Sequence, residues 1–143
     1  MATVNVKDLL SKPADSFERP PVFPQGHYFG TIVKHEFDKS RAKKTPLIRF
    51  YLNPTGGSDD VDPEEIANID LKKVLWRYEF YLTAKSMYHL ADFLDRVLGE
   101  SSERLDERVP MTTGTEVLIG IRQRINDEGE VTGNEVTKVT SAE

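Results

Sequence analysis

The sequence predicts a mainly β domain, five antiparallel strands in a Greek-key barrel with one helix between strands three and four. Three observations predict it. Three stretches, 46–53, 74–82 and 115–125, keep apolar residues in phase with a period of two, as strands with one buried face do. Strand-like runs at 27–37 and 131–140 stand on either side of them. Between the third and fourth of these five the spacing changes to three and four, as in a helix with an apolar stripe. The first of the five is apolar on both faces and holds an internal glycine, which suits a strand that bends to serve two parts of a sheet.

Residues 1–23 carry one short apolar patch (Val4, Val6, Leu9, Leu10) and then Pro13, Pro20 and Pro21. Proline at this density breaks regular structure, so the segment reads as an arm, with room for one helical turn around Val6–Leu10. Pro24-Gln25-Gly26 is turn chemistry that opens the domain, residues 24–143. Strand one is expected from His27 to Phe37, with Phe29, Val33 and Phe37 in phase and Tyr28 and Ile32 opposite. A polar, basic loop follows, from Asp38 to Lys44. Strand two runs from Pro46 to Asn53, with Ile48, Phe50 and Leu52 on one face and Leu47, Arg49 and Tyr51 on the other. Pro54-Thr55-Gly56-Gly57 marks its end.

Residues 54–73 form an insertion whose first half is acidic, within which Pro63-Glu64-Glu65-Ile66 has the composition of a helix start. Strand three, Val74 to Leu82, is the clearest element. Val74, Trp76, Tyr78, Phe80 and Leu82 share the face expected to be buried, so Trp76 is read as structural; Leu75, Arg77, Glu79 and Tyr81 share the other. Ala84, Met87, Tyr88, Ala91, Leu94 and Leu98 then form the helical stripe, with Thr83 placed to cap its start and Gly99 to end it. A charged connection over 100–113 leads to strand four, Thr115 to Ile125. Asn126-Asp127-Glu128-Gly129 is a hairpin signal, and Val131 to Thr140 returns as strand five. Five strands with a helix after the third match the OB-fold. A plain antiparallel sheet covered by one helix gives the same pattern; the bent first strand and the helix position favour the barrel.

At 143 residues the chain has the length of one domain with a real core. No apolar run is long enough to span a membrane, and no basic segment leads into an apolar one at the N-terminus, so neither membrane nor secretory signal is expected. The absence of cysteine removes thiolate metal sites, disulfides and Cys nucleophiles, and fits an intracellular setting. His27, His35 and His89 are too far apart to read as a ligand cluster. Asp59-Asp60-Val61-Asp62 lacks the glycine and glutamate of an EF-hand and reads as a solvated loop. With no phosphate-binding Gly-rich loop or nucleophile elbow either, no cofactor, metal or catalytic activity is expected.

The net charge of −5 argues against a surface that binds nucleic acid all over, but the charge is uneven. Between Pro24 and Asn53 six cations (Lys34, Lys39, Arg41, Lys43, Lys44, Arg49) face only two acids, Glu36 and Asp38. On the outward face strand two presents Arg49 and Tyr51, and strand three presents Arg77 and Tyr81. Arginine neutralises phosphate and tyrosine offers a plane on which any base stacks, so this face and the basic loop are the candidate nucleic-acid site. Arg122 and Arg124 on strand four are placed to extend the basic track. Exposed Arg and Tyr also suit any half-buried strand, where they pair across strands. Glu79, between Arg77 and Tyr81, weakens the basic reading unless it pairs with Arg49 or Arg77.

Pro24-Gln25-Gly26-His27-Tyr28-Phe29-Gly30 opening a strand, then Phe80-Tyr81-Leu82-Thr83-Ala84-Lys85 leading into Leu90-Ala91-Asp92-Phe93-Leu94 and Leu98-Gly99, resembles small bacteriophage-encoded OB-fold proteins. Many of these are described as single-stranded DNA-binding proteins. The resemblance covers roughly residues 20–140 and is one of pattern and position. It implies a non-catalytic replication or recombination accessory in the cytoplasm of a bacterial host, coating single-stranded DNA. Replication or recombination proteins, and a second copy of the chain, are the candidate partners. By position it puts Arg49, Tyr51, Arg77 and Tyr81 on the binding sheet and Lys39 to Lys44 in the flanking loop. Many such binders end in an acidic tail that recruits enzymes; this chain ends Lys138-Val139-Thr140-Ser141-Ala142-Glu143, and the acidic 59–70 stretch is the alternative recruiting element. A different class of function also fits the residues: a phage structural or assembly protein whose barrel and arm bind protein, with the Arg/Tyr face as the interface.

Overall fold

The computed structural model describes Leu10 and residues 22–142; the expected turn at Val6–Leu10 and the rest of the arm as far as Pro21 lie outside the described residues. Five strands, β1 (Gly26–Lys39), β2 (Pro46–Gly57), β3 (Trp76–Tyr81), β4 (Glu116–Ile125) and β5 (Val131–Ser141), make one antiparallel sheet in the order β3-β2-β1-β4-β5. The helices are few: α1 (Pro63–Ile66), α2 (Met87–Leu98) and α3 (Leu105–Arg108), with short 3-10 turns at Leu71–Lys73 and Val109–Thr112. The mainly β expectation, with its principal helix after the third strand, matches what is seen. The sheet curls until β3 and β5 approach each other, and α2 packs against β5 and β3. This is an open antiparallel sheet of barrel-like form. No helix among the described residues is long and apolar enough to cross a membrane.

The bend in β1 comes from two irregularities in its pairing with β2. Phe29 faces Gly56 and Gly30 faces Pro54, so Thr55 is extra on β2; Ile32 faces Leu52 and Lys34 faces Tyr51, so Val33 is extra on β1. Each extra residue bends its strand and changes which side chains point inward. The first irregularity also explains why β2 continues past Asn53, beyond its expected end. Pro54 sits where the ladder is already broken, so its missing N–H costs little. Gly30 is required here, since a Cβ would lie 2.7 Å from the Asn53 carbonyl oxygen and 2.6 Å from Ile119 Cδ1.

The two apolar faces expected of β1 are used unequally. Tyr28, Gly30 and Ile32 face the core, while Phe29, Val33 and Phe37 are exposed. In β2 and β3 the expected alternation holds, with Ile48, Phe50, Leu52 and Phe80 buried and Trp76 and Tyr78 packed against them. The exception is Leu47, which lies on the outward face with Arg49 and Tyr51 and is itself buried at 5% exposure. Trp76 meets Phe23 and Tyr28 edge-on, with ring centroids 4.9 and 5.3 Å away, in the structural role expected of it. Phe23 is itself fully buried, and Asn134 clamps its backbone, accepting from its N–H at 2.7 Å and donating to its carbonyl at 2.9 Å. The folded body therefore begins no later than Phe23.

Helix α2 starts at Met87, later than the stripe suggested, because Thr83 to Ser86 form a separate turn: the N–H groups of Ser86 and Met87 both donate to the Thr83 carbonyl. Its buried face is Leu90, Phe93, Leu94 and Val97, rotated from the expected stripe so that Tyr88 lies outside. Gly99, at φ 92°, ends it. In the charged connection that follows, Arg108 is buried; it pairs with Asp95 at 2.7 Å and donates to the carbonyls of Leu94 and Gly99. A cation held against the last carbonyls of a helix complements its dipole. The acidic insertion is anchored rather than free, with Val61 and Ile66 in the core and Asp62 capping α1 through Glu64 N–H.

Candidate nucleic-acid interface

On the outer face of β1, β2 and β3 the register sets three rows of side chains. Lys34, Tyr51 and Arg77 form the first, Glu36, Arg49 and Glu79 the second, and Asp38, Leu47 and Tyr81 the third. The extra residue Val33 is what brings Glu36 and Asp38 to this face.

The middle row is a closed electrostatic unit. Arg49 contacts Glu36 at 2.6 Å, Glu79 at 2.8 Å and Asp38 at 3.2 Å, and its side chain is only 13% exposed. Tyr51 donates its hydroxyl to Glu36. The hydrogen bonds from Tyr51 and Arg49 hold the Glu36 carboxyl below its usual range; the Lys39 N–H and Arg49 do the same for Asp38. The Glu36 carboxylate in turn raises Arg49 above its already high value. Three carboxylates around one guanidinium leave an excess of negative charge at the centre of the face. Arg49 lies on the expected strand face, but its donors are already taken.

Above and below this row the chemistry differs. Lys34 places its ammonium 4.6 Å from the centre of the Tyr51 ring, a cation–π contact that covers one face of the ring. Arg77 is exposed and has no ion-pair partner among the described residues. The loop between β1 and β2 brings Lys39, Arg41, Lys43 and Lys44 together, all exposed and all without a carboxylate in ion-pair distance among the described residues. The loop is held in shape: Ser40 N–H donates to the Thr45 carbonyl at 2.9 Å, Lys44 N–H to the Ser40 carbonyl at 3.0 Å, and Thr45 N–H to Ser40 Oγ at 3.0 Å. Lys44 takes a left-handed φ of 53°, a conformation most side chains avoid.

Beside this loop stands Tyr81, 54% exposed, at the end of β3. Between them runs a groove lined by Ala42, Lys43, Thr45, Tyr81, Thr83 and Ser86. No family model matches this chain, and no curated protein matches it. What the site can do must therefore be read from its geometry.

Arg122 and Arg124 do not join this group. β4 pairs with the first half of β1, Gly26 opposite Ile121, so both arginines lie toward the end of β1 remote from the basic loop. Both contact Glu135, Arg124 at 3.5 Å. Of the cations singled out in the sequence, the structure thus gathers Lys39, Arg41, Lys43 and Lys44 and leaves Lys34 and Arg77 flanking Tyr51. Arg49, Arg122 and Arg124 are engaged by carboxylates.

Sequence reasoning missed two engaged groups. Arg108 sits in a stretch whose charges look uniformly solvent-facing. Asp60, within the run read as a solvated loop, accepts from the His27 ring at 2.7 Å, the His27 N–H at 2.9 Å and Ser58 Oγ at 2.8 Å. Those bonds, the ring's first, hold its carboxyl far below the usual range. The Pro-Gln-Gly-His start of β1 thereby ties the insertion to the sheet. Among the described residues no group of His and carboxylates has the geometry to hold a metal ion.

Proposed function

We propose that the chain is an OB-type barrel that binds single-stranded DNA without sequence preference and without catalysis, using the 39–44 loop as its phosphate track. The single observation that carries this reading is four exposed cations in one short loop, without carboxylate partners among the described residues and with Lys43 lining a groove beside exposed Tyr81, on a chain of net charge −5. Cations left unpaired on an acidic protein concentrate polyanions at one place. The strand order β3-β2-β1-β4-β5, with α2 between β3 and β4, supports the barrel type, in which the loop between strands one and two flanks the ligand groove. The role we propose for this activity, in line with the resemblance to phage single-strand binders, is in replication or recombination within a bacterial host.

The test is fluorescence anisotropy of labelled oligo-dT over a range of salt, with duplex DNA of equal length alongside. The expected result is binding selective for the single strand, weakening linearly on a log–log salt plot. Each phosphate neutralised contributes about 0.7 to the slope for a single strand. Replacing Lys39, Arg41, Lys43 and Lys44 together by Gln should reduce the slope by about 3 and the affinity on the order of 100-fold. Binding unchanged by that replacement would overturn the assignment of the loop. No binding of the intact chain at low salt would return the surface to a protein-binding role.

A further inference from the structure

We infer that the groove between the 40–45 loop and the Thr83–Ser86 turn is a nucleobase subsite, with Tyr81 as its stacking face and Lys43 at its rim against the adjoining phosphate. The inference rests on the single-strand-binding reading and says which of two tyrosines does the stacking.

Tyr51 is occupied. Lys34 lies over its ring and its hydroxyl is tied to Glu36, itself bound to Arg49. Tyr81 is open. Its ring makes no aromatic stacking or cation–π contact and its hydroxyl no hydrogen bond among the described residues, and it is 54% exposed. A large aromatic held exposed beside cations is the arrangement that stacking on bases uses, since every base has a π-face.

The walls of the groove are fixed before any ligand arrives. Leu82 N–H donates to the Pro46 carbonyl at 2.8 Å, which ties the end of β3 to the start of β2 and so to the loop. Ser86 Oγ donates to the Tyr81 carbonyl at 2.7 Å and meets Thr83 Oγ1 at 2.6 Å. The loop is closed by its own three hydrogen bonds, and Lys44 is held at positive φ. A preformed site loses less entropy on binding.

The chemistry of the lining selects the occupant. The walls are mostly carbon, from Ala42, the Tyr81 ring and the Thr side chains; no carboxylate lines the groove, and Lys43 stands at its edge. An apolar slot with a cation beside it matches a flat base joined to a phosphate. The centre of the face, where Glu36, Asp38 and Glu79 outnumber Arg49, repels the same ligand.

The experiment is oligo-dT anisotropy with the intact chain, Tyr81→Ala, Tyr81→Phe and Tyr51→Phe, each checked for folding by circular dichroism. An abasic oligodeoxyribose phosphate of the same length serves as the second probe. The expected result is a loss of about 10- to 100-fold for Tyr81→Ala, with the salt slope unchanged. Tyr81→Phe and Tyr51→Phe should keep near-full affinity, and the abasic probe should bind the intact chain and Tyr81→Ala equally. Tight oligo-dT binding by the intact chain with no loss in Tyr81→Ala would overturn the subsite and leave single-strand binding standing. Failure of the intact chain to bind oligo-dT would overturn both.

Discussion

Arg49 and the cations of the 39–44 loop belong to one hairpin, yet the structure uses their charge in opposite ways. Arg49 is ringed by Glu36, Asp38 and Glu79 and largely hidden from solvent. Lys39, Arg41, Lys43 and Lys44 are exposed and face no carboxylate at ion-pair distance among the described residues. A count of charges along the chain treats them alike. Pairing register separates them, because position opposite a Glu decides whether a guanidinium serves the fold or a ligand. The same division sets Arg108 and Arg122 with Arg49. It predicts that engaged cations report in stability and open ones in binding.

The largest stability effect should fall on Arg108, the most deeply engaged cation. It is 3% exposed, bound to Asp95 and to two carbonyls at the end of α2. Arg108→Ala strips those carbonyls and leaves Asp95 without its partner. The two carbonyls left without a donor cost about 1–3 kcal/mol, while Asp95, 40% exposed, is resolvated by water and adds little. Urea unfolding should show that loss, while oligo-dT affinity of the folded fraction stays at the wild-type value. A fall in affinity at unchanged stability would break the division at its strongest point.

A smaller effect, in binding, is expected from releasing Arg49. Glu36→Gln with Glu79→Gln removes two of the three charges that hold it. The freed guanidinium adds a cation beside the loop and the local repulsion drops, so oligo-dT affinity should rise several-fold. The salt slope should steepen by about 0.7, the share of one phosphate on a single strand. Unchanged affinity and slope would place the path of the ligand away from the middle row altogether.

Asp60 extends the comparison to acids. The His27 ring and backbone and the Ser58 hydroxyl depress its folded-state pKa. The folded chain therefore takes up the proton less readily than the unfolded one, whose aspartates titrate near 3.9. The stability this carboxylate contributes is complete above that range and is lost as pH falls through the depressed folded value. Thermal melts should show Asp60→Asn less stable than wild type by a few degrees at neutral pH. The gap should close as pH is lowered below about 4. A gap independent of pH would mean that Asp60 acts through packing rather than charge.

How much of this was legible in the sequence follows from what periodicity encodes. Alternation in Pro46–Asn53 and Val74–Leu82 marked two faces, and both proved correct because these strands pair in simple register over those residues. In β1 alternation misled. The extra residue Val33 flips the phase partway along: Phe29, before the flip, faces out, while Phe37, after it, lies opposite inward-facing Ile48 and is exposed only because it sits near the end of the strand. That flip also moved Glu36 and Asp38 next to Arg49, so a site that read as cationic has an anionic centre. The loop cations could be read directly, because consecutive residues in a short turn need no register to lie together. Arg108 and Asp60 could not, since their partners are 13 and 33 residues away.

The smallest effect is the most discriminating within the loop itself. Lys44 holds φ 53°, where a Cβ is disfavoured by about 1 kcal/mol and glycine is at ease. If position 44 served only the turn, glycine would be the better residue. Lys44→Gly relieves the strain but gives the unfolded chain more freedom, so stability should stay level or rise by less than about 1 kcal/mol. Oligo-dT affinity should nonetheless fall a few-fold, with the salt slope reduced by about 0.7. Opposite signs in the two measurements would show that the strain is tolerated for the sake of the charge. A stabilised variant with wild-type affinity and slope would instead assign Lys44 no part in binding, leaving the phosphate track to Lys39, Arg41 and Lys43.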